Sequence, residues 1–393
     1  MDALVLAGLS ARMTAEAAAR DGYAPLALDA FGDLDLRRVA AHWQDIGTPG
    51  ALRLDAARFL AALADLRERR RPLGWVAGSG FEDQPELLER GAAVLPLIGM
   101  GADAVREVRD PRRFFAALDA LGIPHPEVRF DAPAQPAGWL RKRGDAAGGW
   151  HIAAAAQAAA EPAGPAAYWQ REAGGAPMSA LFVADGARAR IVGFNALIVR
   201  PVELDGRRHP HVYCGAIGPV PPAPGVAARL DAALQALARR FALRGLGSLD
   251  FLLGDGGEAL VLEINPRPSA SMALHARALP GGLMRAHVRA CLEGLLPAPP
   301  APAAAVQGHE IVYARRALAL DAGAVCALAR QASTHDLPRA GSRFIPGSPV
   351  CSVSAAGRDA GEVRARLVQR RDSVLDFLET CHERGCASPL LPG

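Results

Sequence analysis

The run Ser248-Leu-Asp-Phe-Leu-Leu-Gly-Asp-Gly-Gly-Glu-Ala-Leu-Val-Leu-Glu-Ile-Asn-Pro-Arg267 decides how the chain is read. Two apolar segments flank Gly254-Asp255-Gly256-Gly257, a composition that predicts a β-hairpin. Side chains alternate along a strand, so Leu249, Phe251 and Leu253 are expected on one face with Leu260, Leu262 and Ile264. Asp250, Glu263 and Asn265 then share the other face with Leu252 and Val261. Two carboxylates and an amide oxygen suit a hard cation, Mg²⁺ or Mn²⁺. Pro266 ends the ladder because it has no N–H to donate. Arg267 follows at once with a planar donor fork suited to phosphate oxygens. The same pattern also describes an edge hairpin with a solvated acidic face.

A second observation favours the chemical reading. Of 44 basic residues one is a lysine, Lys142, and asparagine occurs only at 195 and 265. In a chain that uses arginine everywhere else, a lysine points to a task arginine cannot do, such as placing a compact charge on a phosphate. The alternative is a surviving surface lysine. Residues 139–142 read as a short strand running into a flexible Gly-rich loop, 143–151.

With both features in hand, the chain resembles the ATP-grasp superfamily, in the branch of ATP-dependent carboligases related to biotin carboxylase. The resemblance rests on Leu262-Glu263-Ile-Asn265-Pro-Arg267-Pro-Ser-Ala-Ser271 and on Gly247-Ser-Leu-Asp250-Phe upstream. Its motifs span roughly residues 95–300. It implies an α/β fold, α+β in the grasp part. A Rossmann-like pre-ATP-grasp domain (1–100) would precede a two-lobed ATP-grasp domain (101–298) with its lid near 123–170. A Pro/Ala-rich linker (299–307) and a small β-rich C-terminal domain (308–393) would follow.

The resemblance also implies roles. ATP would lie between a mobile flap, with Lys142, Gly144, Gly148 and Gly149, and a metal hairpin carrying Asp250, Glu263 and Asn265. Gln170, Arg171 and Glu172 fall where such enzymes seat adenine: backbone near Gln170 and Arg171 would read the base edge, and Glu172 would hold adenine or ribose. Lys142 and Arg267 would neutralise charge on the departing phosphoryl group. Ser79, Gly80 and Glu82, on a loop like that of the pre-grasp domain, are candidates to contact substrate, as are Ser269 and Ser271. A second lysine, frequent in the family near the start of helix 111–121, is replaced in its neighbourhood by Arg109 and Arg112. That departure falls on the α-phosphate contact.

Composition narrows the classes further. At 393 residues and 50% hydrophobic, the chain can bury a large core in two or three domains. A net charge of +3, with no basic run interleaved with aromatics, argues against nucleic acid. Six scattered cysteines without a CxxC pair suit a reduced, cytoplasmic protein. Cys381-His-Glu-Arg-Gly-Cys386 lacks the second pair a zinc site needs and reads as free thiols. No run approaches the roughly 20 apolar residues of a membrane span, and residues 2–8 are short and acid-led, unlike a signal peptide.

Along the chain, strands are expected at 2–8, 22–29 and 73–77, with a loop at 8–12 leading into a helix through Arg20 and helices at 35–42 and 55–70. This alternation predicts a small parallel sheet whose ligands gather beyond the carboxyl ends of its strands. The turn at 78–83 is read either as a substrate loop or as a helix start capped by Asp83. Gly99-Met-Gly101-Ala-Asp-Ala104 imitates a dinucleotide fingerprint but has no acid at a second strand end, and reads as the crossing into the grasp region. Helix 226–241 presents Leu230, Leu234, Leu237 and Phe241 as core.

The expected activity is a carboxylate–amine ligase working through an acyl phosphate and releasing ADP and phosphate. The resemblance places it in synthesis of a one-carbon-carrier cofactor of the methanofuran or methanopterin type. A carboxylase that activates bicarbonate is the second reading; without a Met-Lys biotin site it would need a separate carrier. A non-catalytic ATP-binding module is the third. A P-loop kinase is excluded because GxxxxGK[ST] is absent. The expected partners are a small carboxylate and a small amine, with a homodimer among the expected assemblies.

Overall fold

The computed structural model describes residues 1–49, 51–158, 164, 166–204, 206–383 and 387–388. Parallel strands β1 (Ala3–Gly8), β2 (Ala24–Asp29), β3 (His42–Asp45) and β4 (Trp75–Ala77) form a sheet in the order β3-β2-β1-β4. β1 and β2 are apolar and almost wholly buried, as strands covered on both faces must be. Helices α1 (Arg12–Arg20), α2 (Leu34–Val39) and α3 (Ala56–Arg70) belong to the crossovers. The helix expected at 35–42 stops at Val39, and β3 takes over in the edge position. Four residues of strand are too few to show a period.

Helix α4 (Pro85–Val94) begins after Gln84 with no side-chain cap, so Asp83 does not cap it. Pro96 and Ile98 run beside Trp75 before Gly101 opens α5 (Ala102–Arg109), which the sequence reading left as an irregular crossing. α6 (Pro111–Ala120) follows, capped by Asp110.

Where the lid was expected lies a four-stranded sheet in the order β5-β8-β6-β7: β5 (Val128–Arg129), β6 (Trp139–Arg143), β7 (Ala153–Ala154) and β8 (Ala167–Arg171). The large sheet has eight strands. β9 (Ala176–Asp185), β10 (Ala189–Leu204), β11 (Arg207–Gly218), β12 (Arg244–Leu253) and β13 (Ala259–Asn265) come from the middle of the chain. β14 (Val306–Tyr313), β16 (Thr334–His335) and β18 (Pro349–Gly357) come from the tail. The order is β13-β12-β9-β10-β11-β14-β18-β16, so the tail strands extend the sheet built by the middle of the chain. β15 (Leu318–Leu320) and β17 (Arg343–Phe344) form a smaller sheet with Ala387–Ser388. The helix Pro224–Phe241 buries Leu230, Leu234, Leu237 and Phe241 as expected.

The hairpin departs from simple alternation. Asp250 pairs with Glu263, but Phe251 pairs with Val261, leaving Leu262 as an extra residue. Such a bulge flips the faces beyond it. Val261 is therefore 1% exposed in the core with Leu249, Phe251 and Ile264, and neither Leu260 nor Leu262 joins them as buried core. Asp250, Glu263 and Asn265 lie on the strand side of the bulge, which leaves their shared face intact. Among the described residues no helix is long and apolar enough to cross a membrane.

Candidate nucleotide and metal site

Asn265 Nδ2 donates to Asp250 Oδ2 at 3.0 Å, and the Ser248 side chain also hydrogen-bonds Asp250. Burial and then the negative charge of Glu263 push Asp250 well above the usual carboxylate range, with Arg267 opposing. A desolvated acid beside a second carboxylate is what a hard dication relieves. The donor set fits Mg²⁺ or Mn²⁺, which Asp250, Glu263 and Asn265 would hold. Among the described residues no three His, Cys, Asp or Glu side chains group as a metal centre, so protein alone does not complete this shell. Cys386, of the dismissed zinc half-site, lies outside the described residues.

Lys142 faces this hairpin from the lid. It pairs with Tyr168 across β6 and β8, and two residues on, Gln170 shares its face. Lys142 Nζ donates to Gln170 Oε1 at 2.9 Å, and the lysine is only 8% exposed. Burial lowers the ammonium pKa, Glu263 and Asp250 raise it, and Arg109 lowers it. This is not a solvated surface lysine.

The loop after Lys142 is docked on the large sheet. Tyr213 N donates to Gly148 O at 3.0 Å, and His209 Nδ1 lies 2.8 Å from Trp150 O. The Trp150 ring meets His209 and Tyr313 edge to face. Gly149 has φ +81°, and a Cβ there would overlap the His211 carbonyl, so backbone approach demands glycine. Gly144 crowds Pro111 and Arg109.

Arg109 is the main contributor that sequence reasoning did not assign. One guanidinium nitrogen lies 3.3 Å from Glu263 Oε2, and the other donates to Gly144 O (2.9 Å) and Ala146 O (2.6 Å). Its one signal was its place where the family carries lysine. His151 was likewise missed as a site residue. Burial pushes its imidazole down to about 4, and it faces Glu263, Lys142, Arg109 and Arg143. Around Lys142, three buried polar atoms have no protein partner: Arg109 Nε, His151 Nδ1 and Gln170 Nε2.

The residues expected at adenine have these engagements in the structure. Arg171 N donates to Glu127 O (2.8 Å) and Glu172 N to Gly138 O (2.9 Å), so these two amides are committed inside the lid. The Gln170 side-chain oxygen accepts from Lys142 Nζ. The Arg171 guanidinium lies over Trp139, and Glu172 is exposed and acts on His211.

The candidate substrate residues divide into two sets. Arg267 Nε ion-pairs with buried Glu82, whose other oxygen accepts from Gly80 N at 2.6 Å. Against the cost of burial, Arg267 and Arg109 hold Glu82 below its ordinary pKa. Ser79 O accepts from Leu9 N at the crevice between β1 and β4. Ser269 Oγ and Ser271 Oγ hydrogen-bond each other at 3.0 Å, and Ser271 is buried. A cleft of about 540 Å³, lined by Glu82, Arg109, Arg112, Phe130 and Gly144, opens beside the Arg109 bridge.

Comparison with known proteins agrees with this geometry. Residues 96–271 match the family described as ATP-grasp domain. The whole fold is similar to biotin carboxylase from Campylobacter jejuni, solved with β-γ-ATP (TM-score 0.70, 13% identity, 95% of each chain). It is similar to N5-carboxyaminoimidazole synthase from Aspergillus clavatus, solved with ADP and 5-aminoimidazole ribonucleotide (TM-score 0.67, 14% identity, 95% of this chain and 98% of the other). L-amino acid ligase from Bacillus licheniformis is a third (TM-score 0.67, 11% identity, 95% and 97%). No curated protein sequence matches. At such identities the likeness establishes the fold.

Proposed function

We propose that the chain is an ATP-dependent carboxylate–amine ligase that works through an acyl phosphate. The observation that carries this reading is the ring of unpartnered polar atoms on Arg109, His151 and Gln170 around Lys142. Buried polar groups left unpaired in a protein are rare, and each asks for a partner. Donors grouped about an ammonium, opposite two crowded carboxylates, suit a polyphosphate and its cation. The ATP-grasp match over residues 96–271 supports the same partner.

In this reading Asp250, Glu263 and Asn265 would hold a divalent ion, which would supply positive charge against the triphosphate. Lys142 and Arg109 bind and orient the triphosphate by charge. Arg267, anchored by Glu82, steadies the γ-phosphoryl end. The substrate carboxylate attacks the γ-phosphorus, the bond to the bridging oxygen breaks, and ADP leaves. An amine then attacks the acyl carbon, loses a proton, and expels phosphate. The loop 143–151, docked on β11, excludes water that would otherwise hydrolyse the acyl phosphate. The setting we propose, assembly of a one-carbon-carrier cofactor, rests on the sequence resemblance alone.

The test is ADP release against panels of amino acids, bicarbonate and cofactor precursors, with and without EDTA. Turnover should need an acid, an amine and a divalent cation, and should vanish in Lys142→Ala and Glu263→Gln while both remain folded. ATP binding with no ADP release under any mixture would reduce the chain to a nucleotide-binding module. ADP release driven by bicarbonate would make it a carboxylase.

A further inference from the structure

Arg109 stands where two helices meet. It ends α5, and the next residue, Asp110, caps α6. Val105 and Val108 anchor the first helix in the core, and Phe114 and Phe115 the second. The backbone of Arg109 is therefore fixed, and its guanidinium is the part free to turn. That guanidinium works in two directions. One nitrogen lies 3.3 Å from Glu263 Oε2 on β13, and the other donates to Gly144 O (2.9 Å) and Ala146 O (2.6 Å). Its Nε is buried with no partner. The loop is drawn close: a Cβ at Gly144 would stand 2.8 Å from the Pro111 ring and 3.0 Å from the Arg109 carbonyl oxygen. Exposure differs across the ion pair. The Arg109 side chain is 11% exposed and that of Glu263 43%, so solvent reaches the carboxylate while the cation is enclosed.

These contacts compete with the roles proposed above for the same two groups. Glu263 would hold a divalent ion, and Arg109 would bind the triphosphate. A guanidinium already spent on a carboxylate and two carbonyls has only its Nε left to offer a phosphate. A dication on Glu263 also repels a guanidinium a few ångströms away, most strongly where water is scarce. Lys142, enclosed on the same side, adds to that repulsion. The far end of the loop is held by other means, since Gly148 O accepts from Tyr213 N (3.0 Å) and Trp150 O lies 2.8 Å from His209 Nδ1. Arg109 thus governs the near end alone.

We infer that Arg109 is a latch between the cation site and the loop: a divalent ion taken up at Glu263 displaces the guanidinium, which drops the carbonyls of Gly144 and Ala146 and turns to the phosphates. The inference rests on the metal and nucleotide part of the reading above and not on which acid or amine is joined. It makes uptake of the ion and release of residues 144–147 linked events. Linkage is reciprocal, so a change that weakens the latch tightens the ion. The latch also gives arginine a task at this position, where the family resemblance calls for lysine. An ammonium could neutralise Glu263, but it lacks the planar fork that reaches the carboxylate and both carbonyls at once.

The test uses the full chain and Mn²⁺ alone, with the free ion counted by its paramagnetic resonance, and amide exchange followed by mass spectrometry in Mg²⁺. Arg109→Gln keeps donors for the carbonyls and loses the charge. It should bind Mn²⁺ more tightly than the wild type by about tenfold, a factor usual for coupled sites. Arg109→Lys keeps the charge and should bind Mn²⁺ like the wild type. Saturating Mg²⁺ should speed exchange at 144–147 in the wild type and leave it unchanged in Glu263→Gln. The wild-type exchange needs no variant and decides the matter if Arg109→Gln does not fold. Equal or weaker Mn²⁺ binding by Arg109→Gln, no Mn²⁺ binding by either protein, or wild-type exchange that Mg²⁺ slows or leaves alone would overturn the latch. The expected Mn²⁺ response without ADP release from any acid and amine would sink the ligase reading and leave the latch standing. ADP release with Mn²⁺ binding unaffected in Arg109→Gln would do the reverse.

Discussion

Arg109 places a guanidinium nitrogen 3.3 Å from Glu263 Oε2, joining residues 154 positions apart. The same side chain grips the carbonyls of Gly144 and Ala146, so one cation ties the loop after Lys142 to the hairpin that carries Asp250 and Glu263. Arg109→Ala should release the loop and weaken nucleotide binding by about tenfold, in line with the loss of one charge-assisted contact. Amide exchange over 144–151 should rise. Arg109→Lys should recover only part of the affinity, because an ammonium lacks the fork that serves both oxygens and carboxylate. Unchanged exchange in the alanine variant would show that the loop is held elsewhere.

Lys142→Arg is expected to be nearly as damaging as Lys142→Ala. The ammonium is enclosed and bonded to Gln170 at 2.9 Å, leaving no room for a planar fork. Loss of a preorganised charge at a transferring phosphoryl group costs on the order of 100-fold in turnover. Steady-state ADP release by both variants, with circular dichroism as a folding control, measures it.

The Glu82–Arg267 pair joins the N-terminal domain to the end of the hairpin with both side chains largely buried. Removing one member leaves a buried charge unpaired, a loss of about 3–5 kcal/mol. Glu82→Gln and Arg267→Met should each destabilise strongly, and the double variant by clearly less than their sum. Urea denaturation of the four proteins closes the cycle, and additive losses would contradict the pairing.

Acid should destabilise the fold through two buried histidines. His287 accepts from Leu246 N (2.8 Å) and faces Ile98 O (2.9 Å), while His275 Nε2 faces Asn195 Oδ1 (2.8 Å). Burial pushes both down to about 4. The unfolded chain takes up these protons near pH 6.5 and the folded chain only near 4, so stability is full above 6.5 and falls as pH drops through that window. The expected loss is about 3 kcal/mol per histidine. His287→Gln keeps a donor and an acceptor, and its urea midpoint should vary less with pH.

Much of the site was legible because its signals are local. Asp250, Glu263 and Asn265 are brought to one face by strand alternation and a four-residue turn, and the bulge at Leu262 disturbs only the residues beyond them. Lys142 announced itself by rarity. Arg109 did not, since in a chain rich in arginine nothing local separates it from Arg112, which stacks on Phe130 instead. The engagement of the Arg171 amide by Glu127 O is likewise a contact between distant segments that no pattern within either one specifies.

Taken alone, the sequence determined the elements whose cause is short-range: the hairpin, the apolar parallel strands, the amphipathic helices and the ATP-grasp motif. Only the tertiary structure decided that β14 and β18 extend the sheet built by the middle of the chain, that Arg109 meets Glu263, and that the same guanidinium holds the loop after Lys142. The physical reason is that periodicity and turn chemistry act over a few residues, whereas charge pairing and desolvation depend on which distant segments share a volume. That is settled only when the whole core closes.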